Sequence, residues 1–257
     1  MFGIKDIFTT INLMGGVVAI CLCIENEPFY AAISVMLGYL LGDTLDGYVA
    51  RKLNSANAFG AEYDTIADHL SHVVAPAAIV FTVYRNLHLL PEPWMNKAIA
   101  GFLASCIIIA VSVRHARNIV APISYKGVWT GLPRSVVGFY AIGYCNSQFP
   151  EHVTGGWWAG VVIIPIVAIA TLSYWPYPNH HFKRAVGGHW WWINALVWAF
   201  LISTLLTIIF ARAWTFDVVT IFMTGYSLGA WRSLTPEERV KHRGIVAEAR
   251  AKAAAAA

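Results

Sequence analysis

The amino-acid sequence predicts an all-α integral membrane protein, and three observations carry this prediction. Of the 257 residues, 58% are hydrophobic and only 12% are charged, whereas soluble domains carry about 25% charged residues. The mean hydropathy is +0.57. Apolar runs long enough to cross a bilayer, about 17–25 residues each, fill most of the chain. The net charge of +4 is explained by membrane orientation and anionic lipids, so we expect no nucleic-acid partner.

Eight apolar segments follow one another, and each is predicted to be a membrane helix. They cover roughly residues 8–24, 30–52, 60–84, 96–115, 133–148, 156–174, 189–210 and 213–231. The first segment lacks a basic n-region and an A-x-A site, which favours a membrane helix over a signal peptide. We therefore predict a transmembrane domain over residues 1–232 and a polar cytosolic tail over residues 233–257, without a catalytic role for the tail.

The distribution of lysine and arginine orients these helices. If the N-terminus is cytosolic, all but three of the 18 lysines and arginines fall on the inner side. The exceptions are Arg85, Lys97 and Arg212. Because cytoplasmic loops are enriched in Lys and Arg, both termini are predicted to be cytosolic. We expect a prokaryotic cytoplasmic membrane, with the active site facing the cytosol.

Four aspartates interrupt the second and third apolar segments, namely Asp43, Asp46, Asp64 and Asp68. The first two are three residues apart and the last two are four apart, so each pair shares one face of its helix. Counted from the cytosolic ends of the two segments, both pairs lie roughly 6–12 Å inside the membrane. We therefore expect Asp46 to face Asp64, and Asp43 to lie near Asp68.

Four neighbouring carboxylates predict a site for divalent metal, because unpaired like charges repel strongly in a poorly solvated site. Oxygen ligands favour hard cations such as Mg²⁺, Mn²⁺ or Ca²⁺. A pair of such ions suits the transfer of a phosphate-bearing group. Gly47 leaves room for a ligand beside the second helix, and Gly60 lies in the turn into the third. A cation or proton transporter is the alternative class, although the chain shows no internal repeat.

The pattern Asp43-x2-Asp46-Gly47-x2-Ala50-Arg51-x8-Gly60-x3-Asp64-x3-Asp68 resembles the signature of the CDP-alcohol phosphotransferases, with every fixed position matched. This resemblance implies a six-helix core, here followed by two C-terminal helices, and an enzyme that displaces CMP from a CDP-linked lipid or alcohol. It also implies a homodimer and two bound ions, Mg²⁺ or Mn²⁺.

The same resemblance assigns roles to individual residues. It implies that Asp43, Asp46 and Asp64 hold metal, and that Asp68 lies at the same cluster, as a metal ligand and as the general base. The residues that it implies for binding the CDP nucleotide are Asn12, Asp43, Gly47, Ala50, Arg51 and Gly60.

Several further segments are similar, in order, to motifs of the phosphatidylserine synthases of this family. They are "TTINLMGG" (9–16), "FGAEYDTIADHLSHVVAPA" (59–77), "VRHARN" (113–118), "GLP" (131–133) and "SYWPYPNHHFK" (173–183). This similarity implies CDP-diacylglycerol as the donor and L-serine as the acceptor. Glycerol phosphate, inositol phosphate or choline as acceptor, or an archaeal-type lipid, are the alternatives.

Several positions depart from those motifs. His69 and His72 replace apolar residues, Arg134 replaces a proline, Asn118 is one place early, and the Pro-Asn usual before the first helix is missing. His72 shares the face of Asp68, which favours an acceptor contact, whereas a packing role is favoured for His69. The remaining cations suit phosphate or carboxylate, with positive-inside anchoring as the alternative. The candidate phosphate- or acceptor-binding residues are thus Arg114, Arg117, Lys126, Arg134 and His72.

Overall fold

The computed structural model describes residues 3–45, 57–123, 125, 127–179 and 190–255, and most of these residues are helical. The α-helices are α1 (Ile4–Ile24), α2 (Pro28–Gly38), α3 (Ala58–His69), α4 (Ala75–Asn86), α5 (Pro93–Val120), α6 (Arg134–Asn146), α7 (Phe149–His152), α8 (Gly156–Ala170), α9 (Trp190–Phe210), α10 (Thr215–Gly229) and α11 (Pro236–Ala255). Two 3₁₀ turns, Arg212–Trp214 and Ala230–Ser233, flank α10. The all-α class predicted from the apolar runs is confirmed.

Within the part of the chain that the structure describes, three helical stretches are long and apolar enough to cross a membrane. They are Ile4–Ile24, Ala58–Asn86 and Pro93–Val120, with 21, 29 and 28 residues. Gly156–Ala170 and Asn194–Phe210 are apolar but shorter. Large apolar side chains such as Ile109 point outward from these helices, as expected for a surface that meets lipid tails. The count of eight spans and the cytosolic termini stay predictions.

Among residues 3–45 and 57–123, two π-helical segments lie within or at the end of the membrane helices. Tyr39–Asp43 continues α2, and Leu70–Val74 joins α3 to α4 in one uninterrupted helix. Such wide turns change the direction in which side chains leave the helix, and they are frequent at functional sites. Here they contain two of the candidate site residues, Asp43 and His72.

A two-stranded antiparallel sheet was not predicted from the sequence. β1 (Val128–Thr130) pairs with β2 (Pro176–Pro178), so that Val128 lies opposite Pro178. Strands of three residues are too short to show the alternating pattern of a longer strand. Gly131 follows β1 with a φ of +75°, a conformation that glycine adopts without a steric penalty. The sheet joins the α5–α6 connection to the segment after α8.

Glycines allow α1 and α2 to approach each other at backbone distance. A Cβ atom on Gly15 would lie 2.8 Å from the Cα of Gly38. A Cβ atom on Gly42 would lie 2.5 Å from the backbone nitrogen of Asn12. Small residues are the usual means of close helix packing in membranes. Because Asp43 follows Gly42 directly, this contact places its carboxylate beside α1.

Candidate functional site

Asp43, Asp68 and His72 meet between the first three membrane helices. His72 Nε2 lies 3.4 Å from Asp68 Oδ1 and 3.8 Å from Asp43 Oδ2. One ligand atom from each residue lies within 4.8 Å of the others. His72 is only 1% exposed, and the rings of Tyr39 and Phe139 approach it edge-on. The spacing of the aspartates therefore leads to a shared site, and a histidine joins it.

This donor set fits a small divalent cation. Two ligands of one ion are separated by on the order of 3 Å, given metal–oxygen bonds of about 2 Å. Within the described residues, Nδ1 of His72 has no hydrogen-bond partner, whereas Nε2 faces the carboxylates of Asp43 and Asp68 at ion-pair distance. An ion bound between the two carboxylates could take this Nε2 as a further ligand. The expected set of oxygen ligands stays a prediction, and His72 offers a nitrogen donor beside it.

Asp68 is contacted from two further directions. The amide of Asn12 in α1 donates a hydrogen bond to Asp68 Oδ1 at 3.0 Å, and the guanidinium of Arg134 in α6 forms an ion pair with Asp68 Oδ2. The Asn12 carbonyl in turn accepts a hydrogen bond from Ser71 Oγ at 2.8 Å. Charge-assisted hydrogen bonds of this kind fix both position and orientation. The carboxylate of Asp68 is therefore held in one orientation by α1 and α6.

The other residues predicted for metal and nucleotide are only partly described. Asp64 is half-buried, one turn before Asp68 on α3. Gly60 is buried, and a Cβ atom there would lie 2.7 Å from Asp6 Oδ1, so its missing side chain admits the buried Lys5–Asp6 pair. The predicted residues outside the described ranges are Asp46, Gly47, Ala50 and Arg51.

Arg114 and Arg117 lie near the end of α5, beside the short sheet. Arg114 is 8% exposed and donates a hydrogen bond to the Thr130 carbonyl at 3.3 Å. Arg117 donates to the Leu172 carbonyl at 2.7 Å. Neither has a carboxylate within 4.0 Å in the described part of the chain. Lys126, the other loop cation, lies outside the described residues.

A cavity of about 310 Å³ opens beside Arg114. Its polar lining includes Asn118, Tyr125, Thr130 and Asn179. A buried cation without a counter-ion favours an anionic partner, so this cavity suits a phosphate or a carboxylate.

Two contacts of this region had no signal in the sequence. Arg134 appeared as a loop cation at a position usual for proline, whereas the structure pairs it with Asp68. His242, in the tail to which no catalytic role was assigned, is buried and lies with its Nε2 2.8 Å from Thr130 Oγ1. The two residues are 112 positions apart, so no local pattern links them.

Comparison with known proteins agrees with this geometry. A sequence model of the CDP-alcohol phosphatidyltransferase family matches residues 3–219. The chain is 29% identical over 182 residues to a CDP-diacylglycerol–serine O-phosphatidyltransferase of Methanocaldococcus jannaschii, a match covering 70% of this chain and 77% of the relative.

Two further relatives are similar over shorter or comparable lengths. An archaetidylserine synthase of Methanothermobacter thermautotrophicus is 33% identical over 178 residues, which cover 66% of this chain and 69% of the relative. A CDP-diacylglycerol–serine O-phosphatidyltransferase of Mycobacterium bovis is 28% identical over 160 residues, 60% of this chain. That match spans 51% of the mycobacterial protein.

Proposed function

This chain belongs to the CDP-alcohol phosphatidyltransferase family, and from that premise we propose that it transfers a phosphatidyl group from CDP-diacylglycerol to L-serine. The products would be phosphatidylserine and CMP. One observation carries the choice of serine: similar proteins from archaea and bacteria bear the names of serine-accepting enzymes. The coarser activity, that of a membrane-embedded phosphatidyltransferase, follows from the family itself.

Asp68 is the proposed general base. The serine hydroxyl oxygen attacks the phosphorus next to the diacylglycerol, the bond from that phosphorus to the CMP oxygen breaks, and the hydroxyl proton passes to the Asp68 carboxylate. A base must lie within hydrogen-bond reach of the proton that it takes. The contacts from Asn12 and Arg134 support this role, because they hold the carboxylate in one orientation.

The metal-binding role is proposed for Asp43, Asp46, Asp64 and Asp68, with His72 as a further donor. Two ions, Mg²⁺ or Mn²⁺, are expected, and when bound they would neutralise the charge of the phosphates. The contact of His72 with both Asp43 and Asp68 supports a place on the metal side of the site. Its contact with the acceptor, expected from the helical face, stays a proposal.

The substrates are proposed to bind on either side of this cluster. CDP-diacylglycerol would enter from the inner leaflet of a cytoplasmic membrane, with its nucleotide beside Asn12, Asp43, Gly47, Ala50, Arg51 and Gly60. Arg114 is buried and Arg117 half-buried, and neither has a carboxylate partner among the described residues. This supports a site there for the serine carboxylate or the lipid diphosphate. Lys126 and Arg134 would add to that positive charge. A homodimer is expected from the family.

One observation favours a second donor. The match to an archaetidylserine synthase indicates that a CDP-linked archaeal-type lipid is also a candidate, with serine still the acceptor. Glycerol phosphate, inositol phosphate and choline remain alternative acceptors within the same reaction.

The test is release of CMP from cytidine-labelled donor by the purified protein in lipid vesicles. CDP-diacylglycerol and a CDP-archaeol donor are each offered with L-serine, glycerol 3-phosphate, inositol phosphate or choline. We expect release with L-serine and diacylglycerol donor, only in the presence of Mg²⁺ or Mn²⁺. Release with a different alcohol alone would overturn the serine assignment, and faster release from the archaeal donor would overturn the choice of lipid.

A further inference from the structure

Thr130 in β1 is bonded on two sides. Its carbonyl accepts the hydrogen bond from Arg114, 3.3 Å away, while its hydroxyl shares a hydrogen bond with His242 Nε2 at 2.8 Å. Thr130 is 5% exposed and His242 is fully buried. One short strand therefore connects the C-terminal helix α11 to a buried guanidinium at the polar cavity.

A defined start, two buried apolar residues and a cation–ring contact place helix α11 beside that strand. The Thr235 hydroxyl accepts a hydrogen bond from the Glu238 backbone, and the Glu238 carboxylate accepts one from the Thr235 N–H. This capping box defines where the helix begins. Leu234 and Val246 bury apolar side chains on either side of His242, and Lys241 lies over the ring of Tyr125, a cavity residue.

The position of Arg114 depends on few contacts. Its Nε has no hydrogen-bond partner among the described residues, and the bond to the Thr130 carbonyl is already long at 3.3 Å. Hydrogen bonds weaken steeply beyond such distances. A shift of β1 by about 1 Å would therefore release the guanidinium, and misplacements of this size impair substrate positioning.

We infer that α11 is a positioning element of the polar cavity. His242 holds the hydroxyl of Thr130, and the carbonyl of Thr130 in turn holds Arg114 at the place where an anionic group of the substrate binds. This inference rests on the proposed function, because it takes the cavity to be the site for a carboxylate or phosphate. His242 itself touches no substrate.

The bond through Nε2 allows a sharp set of variants. The amide nitrogen of glutamine reaches about as far as Nε2, whereas that of asparagine reaches only as far as Nδ1. His242→Gln should therefore preserve the contact that His242→Asn and His242→Ala remove. Thr130→Val removes the hydroxyl and keeps the carbonyl. His152→Ala is the matched control, because His152 is an exposed histidine bonded only to the Gln148 carbonyl within the described residues.

Two measurements are made on the full chain in vesicles. Steady-state CMP release gives kcat and the KM for the alcohol that the wild type accepts, and hydrogen exchange followed by mass spectrometry reports on residues 127–132. We expect His242→Ala, His242→Asn and Thr130→Val each to raise that KM about tenfold, with kcat within about twofold. Exchange in β1 should rise in all three. The His242→Ala, Thr130→Val double variant should be no worse than either single variant.

The outcomes separate this inference from the proposed function. If the wild type releases no CMP with any alcohol, the proposed function fails, and exchange in β1 alone then decides whether α11 holds the strand. Unchanged exchange in His242→Ala overturns the inference whatever the substrate is. So does raised exchange with an unchanged KM in an active enzyme, or a His242→Gln variant as impaired as His242→Ala.

Discussion

Asp68 shows how departures from a motif can concentrate on one residue. The histidine at position 72 and the arginine at position 134 both stand where the related motifs have apolar residues or proline, and both side chains contact the Asp68 carboxylate. Together with the Asn12 amide, they surround this carboxylate with nitrogen atoms. The departures therefore change the surroundings of the proposed base and leave the aspartates themselves intact.

The Asn12 contact yields a prediction at this scale. Asn12→Ala leaves one oxygen of Asp68 without its buried donor, a loss of about 1.5–3 kcal/mol for a bond to a charged group. We expect kcat to fall about 10- to 100-fold, measured by CMP release. Ser71→Ala removes only the bond to the Asn12 carbonyl, so its fold-reduction in kcat should be less than a fifth of that of Asn12→Ala. Equal losses in both variants would contradict a specific role for the amide.

The Asp43 carboxylate yields a second prediction. Asp43→Asn keeps the shape of the side chain and removes its charge, so the site should lose metal affinity and activity on the order of 1000-fold. Mn²⁺ binding is followed by electron paramagnetic resonance, and thermal unfolding should be unchanged. Asp217→Asn is the control, since Asp217 accepts a hydrogen bond from the Gln148 backbone away from the site. Full activity in Asp43→Asn would refute the metal assignment.

At the scale of elements, the contact of α1 with the π segment after α2 sets the position of Asp43. Gly42→Ala would place a Cβ atom 2.5 Å from the Asn12 nitrogen and 2.7 Å from the Phe8 carbonyl. The segment must then move, and overpacking of this kind destabilises by about 1–3 kcal/mol. We expect a lower unfolding temperature in detergent together with lower activity.

Gly101→Ala is the matched control for Gly42→Ala. It also lies within a membrane helix, but a Cβ atom there meets nothing within 4 Å among the described residues. Because alanine favours a helix over glycine by roughly 0.5–1 kcal/mol, this variant should be at least as stable as the wild type. A similar loss in both variants would mean that the α1–α2 contact is not the cause.

Docking of α11 should depend on pH. Burial lowers the pKa of His242 below its ordinary value of 6.5, and the ring faces Thr130. Lys241 and Arg243 are its neighbours in the sequence, and Glu238 and Arg239 lie one turn before it on α11. When α11 is released, the His242 imidazole binds a proton below about pH 6.5. When α11 is docked, the same imidazole binds a proton only at lower pH. Docking is therefore most stable above that pH and weakens as the pH falls through it.

Trypsin cleavage after Arg243, which is exposed, checks this dependence. Samples are held briefly at pH values from about 8 to 5.5, and hydrogen exchange in α11 is compared across the series. We expect both hydrogen exchange and cleavage to rise below about pH 6.5 in the wild type. Exchange is corrected for its intrinsic pH dependence, and cleavage is corrected with the rate measured on an unstructured peptide. In His242→Gln neither should change. A flat wild-type profile would contradict the assignment.

At the scale of the whole molecule, hydropathy predicts the helices better than it predicts their contacts. The observed α6 and α10, Arg134–Asn146 and Thr215–Gly229, fall within the predicted segments, because apolar length alone specifies a membrane helix. The spacing of Asp43 and Asp68 likewise predicts that they meet. The π segments, the sheet and the Thr130–His242 bond depend on tertiary packing between distant residues, which a local pattern cannot report.

The placement of the cations supports an orientation with both termini in the cytosol. Lys5, Arg114 and Arg134 lie at the end of the bundle that holds the aspartates or the sheet. Arg85, near the end of α4, lies over the ring of Phe81. It also lies beside Asn26, which belongs to the connection between α1 and α2. Because positively charged loops stay in the cytosol, the aspartate end should face the cytosol and the α4–α5 connection the outside.

Cysteine labelling tests this orientation in a variant whose four free cysteines are changed to alanine. His88→Cys introduces an exposed thiol between α4 and α5, and Glu248→Cys one on the outer face of α11. A membrane-impermeant maleimide should label only His88→Cys in intact cells, and both variants after lysis. Labelling of Glu248→Cys in intact cells would reverse the orientation and place the proposed serine site on the side away from cytosolic CDP-linked substrates.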